Sequence, residues 1–181
     1  GFRYLVMFKP RRMVTSLQDP EGRPTVADLL RRHRIRQRVY PVGRLDWDAD
    51  GLLLLTDDGD LANLIMQPAS HLPKIYRVKV KGTPTERSLD RVRRGVMLEE
   101  GWKSRPADVE VDERAGTTTW LRVTLVEGRQ NQIKRMFARI GHPVRRLRRV
   151  GLGPLNLGKL KPGDMRELSP AEVGRLRSAA G

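Results

Sequence analysis

An α+β fold built on a mainly antiparallel sheet is what this sequence predicts, and three observations predict it. Strand-like and helix-like stretches follow one another without the regular alternation that builds a parallel sheet. Lys74–Lys81 alternates cleanly, with Tyr76, Val78 and Val80 on one face and Arg77, Lys79 and Lys81 on the other. That is the pattern of a strand with one buried and one polar face. Helical stretches, in turn, are opened by capping signals: Thr25 with Asp28, and Ser169 with Glu172.

Taken in order, the chain first shows Tyr4–Phe8, an apolar run that ends at Lys9-Pro10 and reads as a core strand. Pro20–Pro24 is a loop, after which Thr25 caps a short helix through Leu30. Pro41 and Gly43 break the chain again, and Leu52–Leu55 reads as a buried strand. Asp57-Asp58-Gly59 opens a helix over Leu61–Met66 that Pro68 stops. Beyond the Lys74–Lys81 strand, Thr85 starts a helix that runs to Gly95. Ala107–Val111 and Thr117–Val126 are strands, and Gln130–Ile140 is a helix with Gly141 as its stop. Ser169-Pro170-Ala171-Glu172 joins a capping box to a proline at the first helical position and opens the last helix. Arginine becomes dense after Lys134, which points to a basic lobe, and no flexible linker divides the chain.

The length, 181 residues, suits one domain or two lobes sharing a core. Lysine and arginine number 36 against 21 acids, a net charge of +15. An excess of that size argues for a polyanionic partner, nucleic acid first and an anionic membrane surface second. No apolar run is long enough to span a bilayer, and no signal peptide is visible. The absence of cysteine excludes disulfides, thiolate catalysis and cysteine-ligated metal sites, and fits a cytoplasmic protein.

One stretch needs weighing: Asp46-Trp47-Asp48-Ala49-Asp50-Gly51. Its aspartates have nearly the spacing of a calcium loop, with Asp57 at the twelfth position. The context opposes that reading. A calcium hand needs a helix on each side, whereas Pro41 and Gly43 lie in the entering segment and four leucines follow. The ninth position is Leu54, and Asp57 is shorter than the usual bidentate glutamate. No metal is therefore expected. Aspartate and glycine between two strands also make an ordinary turn, and taken alone that plain reading outweighs any chemical one.

The flanks change the balance. Val42-Gly43-Arg44-Leu45-Asp46, then Gly51-Leu52-Leu53-Leu54-Leu55-Thr56-Asp57-Asp58-Gly59, resembles the signature of bacterial ribosomal-RNA pseudouridine synthases of the RsuA type, whose catalytic aspartate follows Gly-Arg-Leu. Asp19–Val26 resembles that family's early loop and Lys74–Val78 its tyrosine-bearing strand. Glu127–Met136 resembles its third motif, followed by Gly141-His142, and Arg166-Glu167-Leu168 resembles the closing stretch. The chain departs from the pattern at Ala49, where threonine or serine is usual, and at Gln67-Pro68, where His-Pro is common. The resemblance implies a central, mainly antiparallel mixed sheet in two lobes, with helices around it and a cleft across the middle. Residues 1–181 would form the catalytic domain, without the small S4-like RNA-binding domain that often precedes it. The implied reaction turns a uridine of ribosomal RNA, with a lean to the large subunit, into pseudouridine.

That isomerisation detaches the base, turns it and rejoins it through carbon, so it needs no cofactor. A carboxylate can attack as a nucleophile or take a proton, and the resemblance assigns this to Asp46; whether it acts on the sugar or the base stays open. It also implies Tyr76 as a ring to stack on a flipped base or a phenol to relay a proton, against the plain alternative of a core tyrosine. Lys134 matches the basic residue of the third motif and would keep a carboxylate ionised. Arg44 is the second candidate for that charge, equally suited to tying down the loop or a phosphate. Ile133 matches an aliphatic residue that packs near the target base, or it is simply helix core. Arg77, Lys79, Arg129, Arg135, Arg146 and Arg148 are candidate RNA contacts, alongside Arg11, Arg12, the arginines of segment 31–38, Arg145 and Arg149. Asp48, Asp50, Asp57, Asp58 and Asp60 are expected in loop and cap roles, and His33, His71 and His142 in structural or surface ones. The expected partner is ribosomal RNA, bound by a monomer without a membrane. The alternative is a non-enzymatic RNA-binding or ribosome-assembly protein, disfavoured because binding alone does not need Asp46, Tyr76 and Lys134 together.

Overall fold

The structure is a computed structural model that describes residues 1–99 and 101–181. The chain divides into two compact units, one made of Gly1–Leu72 with Arg149–Gly181 and the other of Pro73–Arg148.

In the first unit, β1 (Tyr4–Lys9) lies between β3 (Asp50–Thr56) and β11 (Met165–Glu167), antiparallel to both. The register sets Leu5 opposite Leu55 on one side and Glu167 on the other. β2 (Tyr40–Val42) pairs with the C-terminal half of β3, and β10 (Leu155–Asn156) folds back on the end of β9 (Val144–Leu152). All four leucines of β3 are fully buried. A strand covered on both faces reads as a continuous apolar run, not an alternating one, which is why Leu52–Leu55 carries no period. Leu52 and Leu54 share a core with Val6, Phe8, Leu61 and Leu176. Three α-helices belong to this unit: α1 (Val26–Arg32), α2 (Gly59–Met66) and α5 (Pro170–Ala180). The expected capping boxes are formed at Thr25 with Asp28 and at Ser169 with Glu172. Asp58 caps α2 and also accepts hydrogen bonds from the Tyr4 hydroxyl (2.6 Å) and from Arg177 (3.0 Å). Burial pushes the Asp58 carboxyl up, but Tyr4, the Leu61 amide and Arg177 more than offset it and hold it below the usual range.

The second unit is built on β4 (Lys74–Lys81), β8 (Thr118–Leu125) and β7 (Asp108–Ala115), with β8 in the middle and antiparallel to both neighbours, so the strands do not follow chain order. A bulge interrupts β7 between Val111 and Glu113. α3 (Glu86–Arg94) and α4 (Gln132–Arg139) contribute Leu89, Val92, Met136 and Phe137 to a core that also holds Val78, Val80, Leu121 and Val123. β5 (Met97–Glu99) and β6 (Trp102–Lys103) pair as a short separate ribbon. At Gly95, the C-cap of α3, φ is +102° and an added Cβ would overlap the Ser104 carbonyl, so only glycine fits.

The α+β class and the antiparallel pairing match the expectation. Each helix read from the sequence is present, with ends moved by one or two residues; α4, for instance, starts at Gln132 after Asn131 takes up a left-handed conformation (φ 57°). Strands β2, β5, β6, β9, β10 and β11 were not readable. The arginines after Lys134 are shared between the two units, and Arg149 is buried.

Candidate active site

Asp46 stands half-buried in the turn that leads into β3. Segment 9–15, which leaves β1, fixes the backbone on either side of it. The Thr15 hydroxyl donates to the Leu45 carbonyl at 2.7 Å and accepts from the Leu45 N–H at 3.2 Å, so one side chain holds both polar groups of the residue before Asp46. On the other side, the Arg12 N–H donates to the Trp47 carbonyl at 2.6 Å and the Arg11 Nε to the Asp48 carbonyl at 3.2 Å. The Ala49 N–H closes the turn onto the Asp46 carbonyl at 3.1 Å. Arg12 reaches this position with φ at 60°, a left-handed conformation that costs a non-glycine residue roughly 1–2 kcal/mol.

Beneath the turn lies a lysine. Lys9 is wholly buried, and its Nζ donates to the Pro10 and Met13 carbonyls, each at 2.8 Å. Burial pulls its pKa down from 10.5 to about 8, and the charges of Asp50, Asp46 and Asp48 draw it part of the way back up. The three aspartates with calcium-like spacing thus face an ammonium group belonging to the protein itself. The chain leaves their turn as a strand, with Leu54 buried inside it, and Asp57 accepts a hydrogen bond from the Arg3 N–H at 2.8 Å. A helix–loop–helix calcium hand is therefore not the local structure, and among the described residues no group of three acids or histidines is arranged to hold a metal.

The turn also needs Gly51. Its φ is +115°, and a Cβ there would overlap the Arg149 backbone. Arg149, expected as an RNA contact, is instead a buried tie: its Nε donates to the Leu52 carbonyl at 2.9 Å. A guanidinium turned into the core cannot reach a phosphate.

The second unit holds the other candidates. Tyr76 is half-buried on β4 and packs against the core that contains Val78 and Ile133. Ile133 is buried in that core, and Lys134, the next residue of α4, is half-exposed. Four cations proposed for RNA contact are engaged with protein. Arg77 lies 4.4 Å and Lys79 5.7 Å from the Trp120 ring centre, and Arg77 faces Asp112 at 3.7 Å. Arg129 and Arg135 lie 4.0 and 5.7 Å from the Trp102 ring and approach Glu99 at 3.5 and 3.7 Å. Arg44 is exposed on the turn of the first unit, while Arg146 and Arg148 are half-exposed on β9. His33 and His142 bond backbone carbonyls of Gly163 and Lys81, in keeping with structural roles.

Sequence reasoning passed over Lys9 and Thr15. The signal available was slight: a lysine that directly prolongs an apolar strand and precedes a proline.

The sequence profile of the RNA pseudouridylate synthases matches residues 3–139, a stretch that includes Asp46, Tyr76 and Lys134. This chain belongs to that family. It is 45% identical over 179 residues to the ribosomal large subunit pseudouridine synthase B of Bacillus subtilis, covering 98% of this chain and 72% of that protein. An uncharacterised RNA pseudouridine synthase of Aquifex aeolicus is 42% identical over 180 residues, 99% of this chain and 71% of its own length. A crystal structure of a pseudouridylate synthase superposes with a TM-score of 0.85 at 30% identity, over 97% of this chain and 74% of the other. The chain is accordingly an RNA-modifying isomerase, and the purely binding alternative gives way. Among the described residues, no helix of this synthase is long and apolar enough to cross a membrane.

Proposed function

We propose that this synthase converts one uridine of large-subunit ribosomal RNA into pseudouridine, with Asp46 as the catalytic carboxylate. One observation carries the choice of substrate: identity of 45% to a large-subunit enzyme along nearly the whole chain. The choice of Asp46 is supported by its place after Gly43-Arg44-Leu45 and by the backbone contacts that immobilise its turn.

The reaction is an isomerisation that balances within the uridine. The bond from C1′ to N1 breaks, the base turns, a bond from C1′ to C5 forms, C5 gives up its proton and N1 gains one. A fixed carboxylate is suited to the first step, as nucleophile or as proton acceptor. Tyr76 supplies a phenol for the late proton transfer and Lys134 a positive charge that favours an ionised carboxylate. Arg44 and the half-exposed Arg146 and Arg148 supply charge for RNA phosphates, and Ile133 belongs to the apolar core against which Tyr76 packs. Extruding the uridine costs a few kcal/mol, least where it is already unpaired, and phosphate contacts offset that cost.

The test is a map of pseudouridines in ribosomal RNA from cells with the gene, without it, and with Asp46→Asn in its place. Loss of one large-subunit site in both altered strains is expected. Retention of every site without the gene would overturn the reading, and loss confined to the small subunit would overturn the substrate.

A further inference from the structure

A single exposed aromatic residue is ordinary on a protein surface, but Trp47 is placed in an unusual way. It directly follows Asp46 and remains 39% exposed. It is not among the side chains that build the first unit's core. Its carbonyl is held by the Arg12 N–H at 2.6 Å, so the turn keeps the indole at the surface. The Arg23 guanidinium stands 5.5 Å from the ring centre. Arg23 is itself oriented: its Nε and Nη2 donate to the two oxygens of Asp19 at 3.0 and 3.1 Å, and its backbone N–H donates to the same carboxylate at 2.6 Å. The Asp19 side chain is almost wholly buried, so the plane of the arginine is set from below. The other two tryptophans are used differently. Trp102 and Trp120 are each covered by two cations, the nearer at 4.0 and 4.4 Å, and neither is as exposed as Trp47.

We propose that Trp47 and Arg23 form a stacking ledge beside Asp46 that takes the base of a nucleotide next to the target uridine. Aromatic rings and guanidinium planes are the surfaces on which unpaired RNA bases stack. When a uridine is drawn out of its stack, its neighbour loses a face; an indole one residue from the carboxylate replaces that face and holds the strand in place while the base turns. Every base has such a face, so the ledge adds affinity and placement, not choice of sequence. The inference rests on the reading of Asp46 given above.

Three measurements test it. In a variant with Trp102→Phe and Trp120→Phe, the remaining emission comes from Trp47 and should be quenched when single-stranded oligouridine binds; binding without any change in that emission overturns the ledge. Secondly, Trp47→Ala should lower single-turnover efficiency on the mapped ribosomal stem-loop by about fivefold to a hundredfold, with an unchanged melting temperature, and Trp47→Phe should restore most of it. The decisive comparison uses stem-loops with an abasic nucleotide on the 5′ or the 3′ side of the uridine. On one of them the affinities of wild type and Trp47→Ala should converge, because the base that stacks is gone. A deficit of equal size on all three RNAs, or no deficit on the intact one, overturns the proposal. A wild type that binds RNA and quenches but forms no pseudouridine sinks the assigned reaction and leaves the ledge standing.

Discussion

The two units hold their candidate site residues by opposite means. In the first, the turn bearing Asp46 is held by polar groups of segment 9–15, the Thr15 hydroxyl and the Arg12 amide, and the Lys9 ammonium ties that segment together through the Pro10 and Met13 carbonyls. In the second, Tyr76 and Lys134 sit on a strand and a helix whose places are set by Val78, Val80, Ile133, Met136 and Phe137. An apolar core tolerates changes of shape at moderate cost. A buried polar anchor does not, because its partners are left unsatisfied when it goes. The first unit should therefore be brittle and sensitive to pH, the second robust.

The sharpest break in that comparison is Asp46→Asn. It should take pseudouridine formation to background while RNA affinity, measured by filter binding, barely moves; Asp48→Asn and Asp50→Asn should retain most turnover. Equal losses at all three positions would return the loop to a shared ionic role.

Next in size is Lys9→Met, which strips two carbonyls and three carboxylates of one cation and should destabilise the fold by roughly 3 kcal/mol in urea titrations at pH 7. The pH dependence has a definite sign. Below pH 8 both the folded and unfolded chains carry the Lys9 proton, and burial of that charge is penalised in full. Between about 8 and 10.5 the folded chain sheds a proton that the unfolded chain keeps. Wild type should then gain on Lys9→Met by up to roughly 1.4 kcal/mol per pH unit in that window. A constant gap across the window would mean that Lys9 is not a penalised ammonium.

Tyr76→Phe sharpens the other side. The ring and its packing survive, so melting should change by about 1 kcal/mol or less, whereas completed pseudouridine in single-turnover assays should fall by roughly a hundredfold. Near-normal turnover would leave only the ring as functional. Smallest are the surface cations. Arg146→Ala with Arg148→Ala should weaken RNA binding and flatten its salt dependence, from a log–log slope of about −3 by one or so. Arg149→Ala should instead lower stability, since that side chain ties β3 from within.

These differences also mark what could be read from residues alone. The helices were legible because Thr25, Asp58, Thr85 and Ser169 announce them locally, and β4 because one of its faces is apolar and the other charged. β9 was not, since Arg145, Arg146, Arg148 and Arg149 fall on both faces and erase the period. β2 and β11 have three residues each, too few for any pattern, and exist because β3 and β1 offer them an edge. Asp46, Tyr76 and Lys134 are proposed through motifs, whose order in the chain is itself information. Lys9 and Thr15 were missed because their work depends on a contact thirty or more residues away, which no local spacing encodes.

The first unit is discontinuous in the chain, and this gives the protein a birth order. Ribosomes add roughly 5–20 residues per second, so β1 is made on the order of ten seconds before the β11 strand that covers its edge. The second unit is one continuous segment and can close as soon as residue 148 is out. β3, by contrast, must wait for Arg149, and the core around Val6 and Phe8 for Leu176. A nascent chain thus carries Asp46 and its early anchors without the strand support that makes the turn rigid.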